Sequence, residues 1–216
     1  MLDKFIGDAI MAVFGTPLPH GDDEDRAVRA GISMLSDLSI YNHERATHGK
    51  LPIKMGIGIN TGLIVSGNIG SPKRMDFTVI GDGVNLAARL ESACKQYAAN
   101  LLISEHTLKK LRGIYQVREL DQVIVKGKTQ PVGVHEVLDF HSEETFPNLM
   151  EVLNHFKDGV TKYRRRQWDK AIDAFKEALT LNEADKISQI YIDRCQHYTE
   201  NPPPEEWAGV WTMTSK

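Results

Sequence analysis

Lys4-Phe5-Ile6-Gly7-Asp8 places an ammonium group and a carboxylate four residues apart near the start of the chain. The Gly7-Asp8 dipeptide lies between two apolar runs, Phe5-Ile6 and residues 9–14, which predicts a β-hairpin with Asp8 at its turn. A carboxylate there can hold Mg²⁺ against nucleotide phosphates, because that ion takes one or two carboxylates and fills its shell with phosphate oxygens. Asp is also an ordinary turn residue, so Asp8 needs partners elsewhere before it means more than a turn.

Candidates follow in Thr78-Val79-Ile80-Gly81-Asp82-Gly83-Val84-Asn85-Leu86-Ala87-Ala88-Arg89-Leu90-Glu91. Asn85 and Arg89 share one face of a predicted helix, with Leu86 and Leu90 on the adjacent apolar face. A solvated polar stripe is the plain reading, yet Asn is a poor helix former. An Arg fork beside an amide suits a phosphoryl group and a sugar oxygen. Thr78, on the preceding strand, offers a hydroxyl to a base edge. In Val125-Lys126-Gly127-Lys128, two lysines form either an exposed basic turn or a polyphosphate clamp. Gly56, Gly58, Gly62, Gly67 and Gly70 make no dinucleotide fingerprint. The eight histidines show no metal spacing, and Arg164-Arg165-Arg166 reads as a solvated helix face.

The elements that must position these groups are legible from pattern. Strands are expected at 2–6 and 9–14, and a helix from about Asp23, with Asp22, Asp23, Glu24 and Asp25 suiting its first turn. Ile53, Met55, Ile57 and Ile59 alternate as a strand, followed by short strands at 63–65 and 76–80. A helix runs from Gly81-Asp82 to about Tyr97, then a buried strand at 101–103 and a short helix capped by Ser104 and ending near Arg112. Strand-like runs close the region at 115–120, 123–125 and 132–138. Interspersed strands and helices with hairpin-length turns favour an α+β fold, of the ferredoxin-like split βαβ type, over a doubly wound sheet.

Residues 1–140 thus form one domain, 141–147 a linker, 148–200 a helical extension and 201–216 a tail with Trp207 and Trp211. Gly159, Ala171, Phe175 and Ala178 match one tetratricopeptide-type helix pair, with Trp168 in the turn between its helices. A lone pair cannot bury its own face, so it must pack on the sheet domain or on a partner protein. The apolar tail is expected to dock on its own protein.

The 216 residues are 41% hydrophobic and 25% charged, enough for a buried core. A net charge of −3 gives no global attraction for nucleic acid or anionic membrane. Cys94 and Cys195 are far apart and read as reduced thiols of a cytoplasmic protein. No run approaches a membrane span and no signal-peptide pattern is present.

Together, residues 2–14 and 74–91 resemble the catalytic domain of class III nucleotidyl cyclases, and Lys126 sits where that family has a phosphate-facing lysine. The resemblance covers roughly residues 1–138. It implies attack of a nucleoside triphosphate 3′-hydroxyl on its own α-phosphorus, expelling pyrophosphate with two Mg²⁺ or Mn²⁺ ions. It also implies residue roles: Asp8 as a metal carboxylate, Asn85 orienting the ribose, Arg89 countering transition-state charge, and Lys126, with Lys128 its neighbour, holding the β,γ-phosphates. Lys4 and Thr78 fall at the purine-reading positions and look like an adenine reader, so the expected reaction is ATP to cyclic AMP. The family's site lies across a head-to-tail homodimer, so Asp8 should face the Asn85 and Arg89 of a second copy. The helical extension and the Asn201-Pro202-Pro203-Pro204-Glu205-Glu206-Trp207 end resemble bacterial members with upstream sensor domains, some membrane-anchored. Family members carry a second metal carboxylate on an earlier strand. Asp3 lies on the wrong side of the turn to replace it, so a C-terminal fragment, or a mis-started gene, of a complete cyclase is expected, with little or no activity. The alternative is a non-catalytic cyclase-like module that binds nucleotide or a protein partner.

Overall fold

A computed structural model describes residues 1–71, 73–124, 131–207 and 209. Strands β1 (Leu2–Ile6) and β2 (Ala9–Ala12) form the expected antiparallel hairpin, and its turn residue Gly7 has φ +65°, which favours glycine. Helix α1 (Asp23–Thr47) follows. Strand β3 (Ile57–Ile59) leads to a long hairpin of β4 (Val65–Ser71) and β5 (Arg74–Ile80), then to helix α2 (Asp82–Tyr97) and strand β6 (Leu101–Ser104). The short helix α3 (Glu105–Leu108) precedes β7 (Val117–Ile124) and β8 (Pro131–Val137). Three helices complete the chain: α4 (Leu149–Arg164), α5 (Trp168–Leu181) and α6 (Lys186–Glu200).

The central sheet has the order β3-β6-β8-β7, with β3 parallel to β6 and the other pairs antiparallel. The parallel pair is joined through α2, the βαβ unit of an α+β fold. The hairpins β1-β2 and β4-β5 are separate two-stranded sheets. Gly58 sets how closely α2 approaches: a Cβ there would stand 2.2 Å from the Glu91 backbone nitrogen and 2.4 Å from the Ala87 carbonyl oxygen. The helix backbone therefore rests directly on β3.

The expected strand at 53–59 shortens to three residues because side-chain amides take its other backbone groups. Asn42 accepts from Ile53 N and donates to Ile53 O, each over 2.8 Å, and Asn100 donates to Met55 O over 3.0 Å. Leu63 is exposed, and the next strand starts at Val65. The runs at 115–120 and 123–125 merge into β7 through a bulge between Glu119 and Asp121, with Val125 outside the described residues. Trp168 opens α5 rather than sitting in the preceding turn.

One core cluster joins Leu86, Leu90 and Tyr97 of α2 with Phe156, Phe175 and Tyr191 of the helical extension. The extension thus packs on the sheet domain. Trp207 meets the Tyr163 and Trp168 rings at centroid distances of 5.2 and 5.6 Å, so the start of the tail docks on the extension as well. Trp211 lies outside the described residues. Among the described residues, no helix is long and apolar enough to cross a membrane.

Candidate functional site

The expected site residues occupy three places. Asp8 is in the β1-β2 turn, Lys4 and Thr78 are on β1 and β5, and Asn85 and Arg89 are on α2. Lys126 and Lys128 lie outside the described residues.

Lys4 and Thr78 are brought together, and the residue that joins them is Asp3. The Thr78 hydroxyl donates to Asp3 Oδ2 over 3.0 Å across 75 residues of chain. Lys4 Nζ stands 3.4 Å from the same oxygen. The Asp3 side chain is fully buried and that of Lys4 is 42% exposed, so the carboxylate is an internal anchor with the ammonium group at its rim. Strand alternation would send adjacent residues to opposite faces. Here β1 shifts register between Leu2 and Lys4, and Asp3 is the extra residue of that bulge. A bulge re-aims a side chain, and this one lets Asp3 and Lys4 meet below Thr78. Sequence reasoning passed over Asp3 because it weighed the residue only as a metal ligand. A carboxylate directly before Lys4 was the available signal.

Asn85 and Arg89 lie exposed on α2, as their spacing predicts, while Leu86 and Leu90 are buried beneath. Asp8 is exposed too. Among the described residues, none of the three side chains makes a hydrogen bond or ion pair, and all are available to a ligand or a second chain. The far end of α2 is fixed firmly. Tyr97 is buried and donates to Asp121 Oδ2 over 3.0 Å. Burial first, and the neighbouring carboxylate next, push its phenol well above the usual range, so it stays a donor.

Among the described residues there is no group of three or more His, Cys, Asp or Glu able to hold an ion. Asp8 fits the usual Mg²⁺ pattern of one carboxylate plus substrate phosphates. It does not make a two-ion site by itself.

Around the hairpins many apolar side chains are exposed: Phe5 68%, Ile6 58%, Ile10 52% and Met75 60%.

Comparison with known proteins follows the same residues. The model of the adenylate and guanylate cyclase catalytic domain matches residues 4–140. An adenylate cyclase of Anabaena cylindrica is 42% identical over 143 residues, which are 63% of this chain and 28% of that protein. The terminal-differentiation specific adenylate cyclase of Dictyostelium discoideum is 35% identical over 200 residues, 90% of this chain but 9% of its own length. That match reaches past residue 140 into the helical extension. This chain therefore spans less than a third of either relative. Among solved structures, the adenylyl cyclase CyaB from P. aeruginosa aligns with TM-score 0.57 and 35% identity, covering 67% of this chain and 73% of that one. The guanylyl cyclase Cya2 aligns with TM-score 0.56 and 40% identity, covering 63% and 68%. Neighbours named for both nucleotides stand equally near, so the choice of base must be read from side chains.

Proposed function

The chain belongs to the adenylate and guanylate cyclase catalytic domain family, and from that premise we propose that it is the ATP-cyclising region of an adenylate cyclase. The observation that carries the choice of ATP is the cluster of Lys4, Asp3 and Thr78. It offers an ammonium donor and a hydroxyl side by side. Adenine presents a ring nitrogen acceptor beside an amino donor, and guanine presents the reverse pair.

In this reading the ribose 3′-oxygen attacks the α-phosphorus. A new P–O bond forms, the bond to the departing pyrophosphate breaks, and the hydroxyl proton passes to solvent. Asn85 hydrogen-bonds the ribose and fixes the attacking oxygen. Arg89, four residues on, faces the α-phosphoryl oxygens, where charge grows in the transition state. Lys126, with Lys128 beside it, neutralises the β,γ-phosphates. Asp8 would hold a divalent ion, Mg²⁺ or Mn²⁺, which when bound lowers the charge on the phosphates. The second reading is a module that binds nucleotide without cyclising it, favoured by the finding that, among the described residues, no group of three or more His, Cys, Asp or Glu could hold an ion.

Asp8, Asn85 and Arg89 are all exposed, and the apolar hairpin surface around Phe5 and Ile10 is uncovered. Both features support a head-to-tail homodimer in which Asp8 of one copy meets Asn85 and Arg89 of the other. Mixing an Asp8→Ala chain with an Arg89→Ala chain tests this. Shared sites restore product in the mixture, and independent sites leave it inactive.

Incubation with ATP or GTP, with Mg²⁺ or Mn²⁺, tests the reaction. Cyclic AMP and pyrophosphate are expected in equal amounts, with cyclic GMP well below. Preferred cyclic GMP formation overturns the base assignment, and ATP binding without product supports the non-catalytic reading.

A further inference from the structure

We propose that Asp3 is a specificity-determining positioning residue: by accepting the Thr78 hydroxyl proton, it leaves Thr78 able only to accept a hydrogen bond from the base. The inference rests on the ATP reading above and deepens it.

A threonine hydroxyl has one proton and two lone pairs. Left free it can face a base as donor or acceptor, and so cannot tell an amino group from a carbonyl. In this fold the proton is committed. Asp3 Oδ2 accepts it over 3.0 Å, and a carboxylate can do nothing but accept. What remains on Thr78 is acceptor capacity. Lys4, 3.4 Å from the same oxygen, has three N–H donors, so one can face Asp3 while others face a ligand. The pair then displays one donor and one acceptor in a fixed sense. Adenine fits it, with N1 accepting from Lys4 and the 6-amino group donating to Thr78. Guanine meets it with N1–H against an ammonium and O6 against a lone pair. A site that leaves buried polar groups facing like groups rejects the wrong ligand strongly.

Burial makes the commitment hold. The Asp3 side chain is fully buried and Thr78 is 8% exposed, so water does not compete for the hydroxyl proton. Among the described residues Asp3 Oδ1 is buried with no hydrogen-bond partner, so there it is Oδ2 through which the protein orients this carboxylate. Asp3→Asn is therefore an informative change. An amide can turn its NH₂ toward Thr78 and donate, freeing the hydroxyl proton to face the ligand.

The test is displacement of a ribose-labelled fluorescent ATP analogue from the chain by ATP, GTP and purine riboside triphosphate, which lacks the 6-amino group. The wild-type chain should bind ATP about three- to tenfold more tightly than purine riboside triphosphate, the range of one net hydrogen bond. D3N should narrow the ATP-over-GTP ratio by a similar factor, with a smaller change in affinity for the triphosphate itself. In a Thr78→Val background, D3N should change the ratio no further. A D3N chain with wild-type circular dichroism and an unchanged ratio overturns the role of Asp3 and leaves the ATP reading standing. If D3N does not fold, the wild-type series still decides, because equal binding of ATP and purine riboside triphosphate removes the acceptor at Thr78. A wild-type preference for GTP overturns the substrate reading itself.

Discussion

Arg194 Nη1 donates to Asp121 Oδ2 over 2.8 Å, with both side chains buried, and so ties the last helix of the extension to the bulge of β7. Tyr97, the last residue of α2, donates to the same oxygen. A second buried group lies nearby: Arg118 reaches Glu136 of β8 and Asp185 at the start of α6, each over 2.7 Å. Tyr191 adds a hydrogen bond to the Leu120 carbonyl. Arg194–Asp121, Arg118–Asp185 and Tyr191–Leu120 cross between the extension and the sheet, and Tyr97 ties Asp121 to the helix that carries Asn85 and Arg89.

Breaking the Arg194–Asp121 pair from one side strands a carboxylate in the core. Arg194→Met should destabilise the chain by about 3–5 kcal/mol, and Tyr97→Phe by about 1 kcal/mol. Urea unfolding followed by far-ultraviolet circular dichroism and by tryptophan fluorescence measures both. The tryptophans all lie from Trp168 onward, so coincident transitions show sheet and extension unfolding together. An extension that melts separately would refute the coupling.

Gly159 of α4 lies against Phe175 of α5, and a Cβ at Gly159 would stand 2.5 Å from a Phe175 ring carbon. Gly to Ala inside a helix ordinarily stabilises by roughly 0.5–1 kcal/mol. Here overpacking reverses the sign, and Gly159→Ala should cost about 1–3 kcal/mol. A raised melting temperature would contradict the contact.

Acid should weaken the fold through His141. Burial, and then the Arg118 guanidinium, push its pKa down to about 4. Folded protein therefore keeps this imidazole neutral where an unfolded chain, titrating near 6.5, takes up a proton. Stability attributable to His141 is complete above about pH 6.5 and falls as pH drops toward 4, below which this contribution levels off. Burial lowers His135 as well, which adds to the same trend. Denaturant midpoints from pH 7 to pH 4 measure the slope, and His141→Phe should flatten it.

Arg89 is exposed and its side chain makes no hydrogen bond or ion pair among the described residues, so its removal should leave stability within about 0.5 kcal/mol. If it meets charge that develops only in the transition state, Arg89→Ala should lower kcat about a hundred- to a thousandfold with little change in KM. Initial rates of cyclic AMP formation give both constants. Retained turnover removes Arg89 from the mechanism.

The amphipathic spacing of Leu86 and Leu90 against Asn85 and Arg89 determined which face of α2 is buried and which two polar groups share the other. The Gly7-Asp8 dipeptide determined the hairpin turn, and the alternation around Ile57 and Ile59 a strand of the central sheet. These features were legible because each leaves a local mark in the chain, a periodic spacing of apolar residues or a turn dipeptide. The shortening of the 53–59 strand was not, since it depends on Asn42 and Asn100 reaching backbone groups from other elements. Nor was the seat of the extension, because Arg194, Asp121 and Tyr97 meet only when three distant segments pack. Asp3 is the sharpest case. Its type and position stand in the sequence, but a one-residue bulge turns it toward Thr78, 75 residues away. A register shift in one strand reverses which side chains can meet, and only tertiary pairing fixes that register.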